Sequence, residues 1–360
     1  MRSVDTDFQG VVSEKVAGPL TGKRVLVTSS SFLDTPGPHR QALEQTGAEV
    51  LSARGPLDEN RLRTVIHECG ELHGIICGED AFSSEIIKKL PNSTKVISKY
   101  GVGLDKIDAP TAQTRGISVT NTPGVNHGSV AELTFGLLLS IVRKIPSHNT
   151  ICHHAEWKRL TGFDLAGKTL GIIGLGRVGK EVARRALAFN MDVLVFNTNW
   201  SSAHAQFVDE ANSIFNNPFF SSRPHSIARA EKVDELLAAS DFISLHMNLT
   251  KDNQSFLNAH RISACKRGVV VLNVSRGSLV DTKALADAIK RGHVGGYGAD
   301  VVEPEPIQAD NPLIGLPEVV LTPHIGSRTF DSVARQGLAA VHNLVSVITG
   351  NGVLSSGMGE

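Results

Sequence analysis

The sequence predicts an α/β protein of two doubly wound parallel-sheet domains, and three observations predict it. Short apolar runs alternate with helical stretches, and continuous apolar strands between helices mean a parallel sheet covered on both faces. The alternation runs twice, once before residue 121 and once after residue 168, with a Pro-Gly break and a long apolar helix between. At 360 residues the chain is long enough for two domains with full cores.

Residues 1–22 are polar, lack the apolar core of a secretory signal, and read as a loose extension. The first series places strands at 24–28, 49–52, 74–77, 95–98 and 117–120, with helices such as 61–68 and 84–90 between them. Asn121-Thr122-Pro123-Gly124 ends that series, and an apolar helix follows over 129–143. The second series places strands at 169–174, 192–197, 242–246, 269–274, 298–301 and 319–322, and a closing helix covers 329–348. That last helix implies a discontinuous first domain: residues 1–122 with 327–360, into which residues 123–326 are inserted. Two chain crossings between domains would form a hinge and a cleft. The segment 200–230 stands out as polar, rich in Ser and Asn, and carries Phe207, Phe215, Phe219 and Phe220. It has about twice the length that a helix and a short loop need. It reads as a surface insertion, which costs little stability; an aromatic contact for a second subunit, or a lid, is the other reading.

Lys+Arg and Asp+Glu both number 36, so the formal net charge is zero. That argues against a basic nucleic-acid surface and an electrostatic membrane anchor. No apolar run reaches transmembrane length. Cys69, Cys77, Cys152 and Cys265 are scattered without a C-x-x-C pair. No metal site and no disulfide framework is expected, and a reducing cytoplasm is the simplest home.

Residues 169–179 read TLGIIGLGRVG. An apolar strand runs into Gly174-x-Gly176-x-x-Gly179 and a helical pattern follows, which is the Rossmann dinucleotide fingerprint in its required context. Gly174 allows the tight turn, Gly176 lets a pyrophosphate approach the backbone, and Gly179 lets helix and strand pack closely. The helix N-terminus offers N–H groups and a positive dipole end to the phosphates.

Three further pieces sit at the carboxyl ends of later strands, where an open α/β sheet builds its site. They are Asn273-Val274-Ser275-Arg276-Gly277, Asp300-Val301-Val302-Glu303-Pro304-Glu305-Pro306 and Thr322-Pro323-His324-Ile325-Gly326. Arg276 can grip a carboxylate through its fixed fork of donors. His324 can give or take a hydroxyl proton near neutral pH. A carboxylate behind the imidazole fixes its tautomer and stabilises its charged form. Singly, an Arg-Gly turn or a strand-end His is more often structural; beside a dinucleotide loop the set points to reduction of a keto acid.

With Lys99-Tyr100-Gly101-Val102-Gly103-Leu104-Asp105 and Ser129-Val130-Ala131-Glu132 added, the chain resembles the D-isomer-specific 2-hydroxyacid dehydrogenases, within them the phosphoglycerate dehydrogenase-like branch. The resemblance covers residues 23 to about 350. It implies a Rossmann dinucleotide-binding domain inserted into a flavodoxin-like substrate-binding domain, and a homodimer built through the dinucleotide domain. It implies that Arg276 binds the substrate carboxylate and carbonyl, that His324 is the acid/base and that Glu305, rather than Glu303, is its partner. Lys99, Tyr100, Gly101, Val102 and Gly103 would form the substrate loop. Arg177 and Val178 would join Gly174, Gly176 and Gly179 at the pyrophosphate. Val274, Ser275 and Asp300 would face the nicotinamide, with Val102 and Gly326 among the cofactor contacts.

The sequence departs from the family pattern in three places. Asn197 stands where an acid takes the adenosine ribose and selects NAD; an amide repels a 2′-phosphate less, so NADP is possible. No Arg or Lys lies in 197–220 to welcome that phosphate, which keeps NAD ahead. Gly78-Glu79-Asp80 occupies the loop where phosphoglycerate enzymes tend to place an arginine, which argues against a highly anionic substrate tail despite Lys99. The chain ends soon after the closing helix, so appended regulatory domains are not expected. The functional expectation is hydride transfer between NAD(P) and the α-carbon of a D-2-hydroxy or 2-keto acid, with closure of the domains bringing the Lys99 loop onto the substrate. The alternatives are a phosphite-type anion dehydrogenase (Glu305 counts against formate) and a corepressor-like nucleotide sensor with little turnover.

Overall fold

The structure is a computed structural model that describes residues 9–10, 17–215 and 225–351. The chain divides into two compact units, Met1–Asn126 with Arg328–Glu360, and His127–Ser327. The junctions fall at 126/127 and 327/328 rather than at 122/123 and 326/327. Side chains explain the difference. Arg335 Nε donates to the Val125 carbonyl at 3.0 Å, and Asn126 Nδ2 donates to Gln336 Oε1 at 3.3 Å. Arg328 is paired with Asp34. These bonds tie both junction segments to the first unit.

The first unit holds a six-stranded sheet: β1 (Gln9–Gly10), β2 (Arg24–Val27), β3 (Glu49–Ser52), β4 (Gly74–Cys77), β5 (Val96–Lys99) and β6 (Ser118–Thr120). Their order is β1-β3-β2-β4-β5-β6. β2 to β6 pair in parallel, while β1, inside what reads as a loose extension, pairs antiparallel with β3. One face is covered by Leu62, Val65 and Ile66 of helix Glu59–Cys69 and by Ile86 and Ile87. The other is covered by Val333, Ala340, Val341 and Leu344 of helix Phe330–Thr349, packed with Val25, Val27, Ile76 and Val96. The first sheet is therefore incomplete without the last helix of the chain, which is the physical reason for the discontinuity.

The second unit holds a seven-stranded, wholly parallel sheet: β7 (Thr169–Ile173), β8 (Asp192–Phe196), β9 (Ile227–Arg229), β10 (Phe242–Leu245), β11 (Val269–Asn273), β12 (Val294–Ala299) and β13 (Val319–Leu321). The order is β13-β12-β11-β10-β7-β8-β9, so the winding reverses between β7 and β10. The glycine loop follows β7 and lies at that reversal, where doubly wound sheets bind ligands. Helix His127–Val142 is apolar on most sides because it packs against both helix Arg177–Ala188 and the sheet. Gly296 and Gly298 of β12 make that approach possible. A Cβ on Gly296 would collide with Ile141, and one on Gly298 would lie 2.9 Å from the Ile141 side chain.

Those glycines also explain why β12, read from the sequence as 298–301, starts four residues earlier: Val294-Gly295-Gly296-Tyr297 lacks the apolar run of a buried strand. The segment 200–230 is corrected in large part. Helix Ser202–Phe215 buries Phe207 and Ala211, and β9 extends the sheet beside β8. Asn212 links the two, donating to the Ile227 carbonyl at 3.0 Å and accepting its N–H at 2.7 Å. Most of the segment is thus a regular helix and strand; Phe219 and Phe220 lie outside the described residues.

Candidate active site

The glycine loop fits a dinucleotide. Gly174 has φ 102°, a conformation that L side chains rarely adopt, and a Cβ there would strike the backbone of His246 and Met247. Gly176 is exposed, with open space where a Cβ would project. A Cβ on Gly179 would strike the Gly174 carbonyl, so this residue lets the helix pack onto the turn. Gly176 caps helix Arg177–Ala188 without a side-chain bond, which leaves the first-turn N–H groups facing outward. Arg177 is exposed and Val178 half-buried at that terminus.

Asn197 follows β8. Its Oδ1 accepts the Leu175 N–H at 3.0 Å and its Nδ2 donates to the Asn199 carbonyl at 2.8 Å. The amide thus braces the glycine loop and retains one N–H.

The loop after β11 is held by the buried Asn273. Its Nδ2 donates to the Arg276 carbonyl at 2.8 Å and its Oδ1 accepts the Ser275 N–H at 3.1 Å. Ser275 Oγ donates to the Leu245 carbonyl at 2.8 Å, fastening the loop to β10, and Arg276 Nη1 donates to the Ser275 carbonyl at 2.8 Å. Val274 packs on the core. In the sequence Asn273 reads only as part of a motif, and nothing in its context marks it as the brace.

Two carboxylates follow β12 with different fates. Glu305 Oε2 lies 3.0 Å from His324 Nδ1. Glu303 Oε2 accepts the Ser278 hydroxyl at 2.6 Å. The sequence choice between these two acids thus falls on the one that meets the imidazole. Side chains of His324 and Glu305 are 33% and 22% exposed, so the pair is neither dry nor fully solvated.

Asp300, 2% exposed, is taken up by the protein itself. Thr322 Oγ1, Ile325 N–H and Gly326 N–H all donate to its carboxylate, at 2.6, 2.8 and 2.7 Å. Burial pushes its pKa up, against the pull of the Thr322 hydroxyl, the Ile325 amide and the nearby His324.

In the first unit, Lys99 is 2% exposed. Its ammonium bonds the Gly78 carbonyl and Glu79 Oε1, and Lys106 Nζ lies 3.8 Å from Glu79 Oε2. The Tyr100 ring packs with Phe32 and Val333, burial pushes its phenol pKa up, and Gln336 Nε2 approaches its hydroxyl at 3.4 Å. Lys99 and Tyr100 therefore turn inward. Gly101, Val102 and Gly103 follow as a turn. It is pinned where Gly101 N–H donates to Thr122 Oγ1 at 3.0 Å and Asn121 Nδ2 to the Val102 carbonyl at 2.9 Å. Val102 is 41% exposed. Asp80 is 1% exposed and accepts from the Thr28 hydroxyl and from Leu57 and Gly78 N–H.

Among the described residues no group of three or more His, Cys, Asp or Glu could hold a metal ion, and no helix is long and apolar enough to cross a membrane.

A glycine loop at the reversal of a parallel sheet, beside an arginine and a His–Glu pair on neighbouring strand ends, defines a dinucleotide-dependent oxidoreductase. The family profile described as D-isomer specific 2-hydroxyacid dehydrogenase, NAD binding domain, matches residues 135–326. A glyoxylate reductase of Thermofilum pendens is 37% identical over 279 residues, 75% of this chain and 76% of that protein. A D-3-phosphoglycerate dehydrogenase of Archaeoglobus fulgidus is 36% identical over 311 residues, 86% of this chain and 55% of that longer protein. The crystal structure of D-lactate dehydrogenase from Aquifex aeolicus, complexed with NAD and lactic acid, aligns with a TM-score of 0.74 at 28% identity, covering 91% of this chain and 96% of that one. The chain belongs to the D-isomer-specific 2-hydroxyacid dehydrogenase family. It is an NAD(P)-dependent dehydrogenase of a D-2-hydroxy or 2-keto acid. These relatives give no support to a phosphite-type enzyme or a corepressor.

Proposed function

We propose that this enzyme interconverts a small 2-keto acid and its D-2-hydroxy acid, using NAD in preference to NADP, and that the substrate carries a single negative charge. The observation that carries the chemistry is the 3.0 Å approach of Glu305 Oε2 to His324 Nδ1. When bound, the nicotinamide cofactor supplies or accepts the hydride at the substrate α-carbon. Arg276 grips the carboxylate and polarises the carbonyl with its fork of donors. In reduction, protonated His324 delivers its proton to the carbonyl oxygen; in oxidation it takes the hydroxyl proton. Glu305 holds the ring in one orientation and favours its charged form.

The charge limit rests on Lys99. A phosphate tail brings nearly two charges and demands basic partners. The buried lysine already has its ion partner in Glu79, and Arg54 is paired with Asp34. The NAD preference rests on the absence of Arg or Lys in 197–220, and it stands although Asn197 repels a 2′-phosphate less than an acid would. Homodimerisation through the dinucleotide domain is supported by exposed apolar side chains there: Ile145, Trp157 and Phe163 are 51%, 81% and 68% exposed. A cytoplasmic setting fits the scattered cysteines.

The test compares catalytic efficiencies with NADH for glyoxylate, hydroxypyruvate, longer uncharged-tail 2-keto acids and phosphohydroxypyruvate. One of the singly charged acids is expected to win. A clear preference for phosphohydroxypyruvate would overturn the charge limit, and negligible turnover of all of them would overturn the substrate class.

A further inference from the structure

Asp300 was expected at the nicotinamide, yet its carboxylate is spent on the loop that carries His324. Three donors converge on it from residues 322–326: the Thr322 hydroxyl on Oδ1 at 2.6 Å, Ile325 N–H on Oδ1 at 2.8 Å and Gly326 N–H on Oδ2 at 2.7 Å. The backbone adds a fourth link, His324 N–H to the Asp300 carbonyl at 2.9 Å. A carboxylate offers about four lone-pair sites, so at most one remains. Position 326 leaves no room for a side chain, since a Cβ on Gly326 would lie 2.9 Å from Oδ2.

What this grip holds is unusual. His324 has φ 52°, in the left-handed region that non-glycine residues seldom occupy. Such a conformation persists only where surrounding bonds over-determine it. Here the bonds fall on both sides of the histidine, at Thr322 before it and at Ile325 and Gly326 after it. In this conformation the ring reaches Glu305 on the loop that follows β12, and Asp300 is the first residue of that same loop. One buried carboxylate therefore sets the spacing between the two loops that bear the acid/base and its partner.

We propose that Asp300 is a positioning residue for the reaction, acting through the Thr322–Gly326 loop to hold His324 in its left-handed conformation against Glu305, and not chiefly a contact of the cofactor. The proposal rests on His324 being the acid/base. Misplacing a reacting group by about 1 Å costs up to roughly 100-fold in rate, which bounds the effect.

The experiment uses the full chain with NADH and its best keto acid. Two variants are compared with wild type, and His324→Ala is the control for the underlying assignment. Asp300→Asn keeps the shape but turns an amide N–H toward one of the three donors. Thr322→Val removes one donor and leaves the carboxylate, so it stays informative if Asp300→Asn does not fold. We expect kcat to fall roughly 10- to 100-fold in Asp300→Asn and a smaller, clear amount in Thr322→Val. The dissociation constant of NADH, read from its fluorescence, should stay within about threefold in both, and Thr322→Ser should restore kcat. Retention of kcat in both Asp300→Asn and Thr322→Val, with His324→Ala inactive, would overturn the positioning role alone. NADH affinity lost in proportion to kcat would overturn it in favour of a cofactor contact. Full activity in His324→Ala would instead remove the assignment on which the proposal stands.

Discussion

Replacing Glu305 by Gln should lower the pH above which keto-acid reduction fails. The substitution keeps shape and a hydrogen-bond acceptor, so the change is one of charge. Reduction consumes a proton from His324, and the protonated ring is the form a nearby carboxylate favours. The two groups are 3.0 Å apart. Unit charges at that distance interact by about 1.4 kcal/mol in water and about 5.5 kcal/mol at an effective dielectric of 20. Side-chain exposures of 33% and 22% let solvent screen the pair and favour the lower part of that range. A loss of roughly 1.5 to 3 kcal/mol corresponds to about one to two pH units, downward. The assay is the pH dependence of kcat/KM for reduction with NADH, wild type against Glu305→Gln. An unchanged upper limb would refute the reasoning, and Glu303, now held by Ser278, would become the next candidate.

Other expectations follow from the same geometry. Asn197→Asp should raise the ratio of catalytic efficiencies with NAD over NADP, because the Leu175 N–H bond survives while a negative charge meets the 2′-phosphate; an unchanged ratio would remove Asn197 from the ribose site. Glu79→Gln leaves the buried Lys99 charge without its carboxylate. It should destabilise the protein by about 1 to 3 kcal/mol, seen as a fall in Tm, while raising the relative efficiency for phosphohydroxypyruvate. Gly296→Val should destabilise by roughly 1 to 3 kcal/mol or more through its clash with Ile141, measured by urea unfolding. Burial pushes the His246 pKa down to about 3. The unfolded chain takes up this proton near pH 6.5 and the native state only near 3, so stability should fall as pH drops through that window. His246→Asn should flatten that part of the stability profile.

The parts of the fold legible in the sequence are those written locally. β3 and β4 end where the apolar runs end. The glycine loop announces itself because a turn, a close approach and a packing contact each need a residue without a side chain. β12 was half hidden because its glycines serve helix His127–Val142, a partner distant in sequence. β9 was missed because Ile227-Ala228-Arg229 carries one buried residue. Within the site, residue types and strand-end positions pointed to Arg276 and His324, whose chemistry is intrinsic to the side chains, while the choice of Glu305 came with the family resemblance and the structure brings its carboxylate 3.0 Å from the imidazole. Orientation was another matter. All four residues of β5 are buried, so no alternation told which way Lys99 would point. Glu79 and Asp80 are adjacent, yet one meets Lys99 and the other is bound by Thr28, Leu57 and Gly78, which only the folded turn decides. Asp300 reads as a site acid until the loop from β13, more than twenty residues on, closes around it.

The most direct test of the central assignment, His324 as the acid/base, is single-turnover reduction of a 2-keto acid by NADH-loaded His324→Ala, followed at the nicotinamide absorbance. Loss of a general acid/base costs roughly two to four orders of magnitude. We predict a loss of that size in the chemical step, with NADH binding retained. Reduction at close to the wild-type rate would contradict the account.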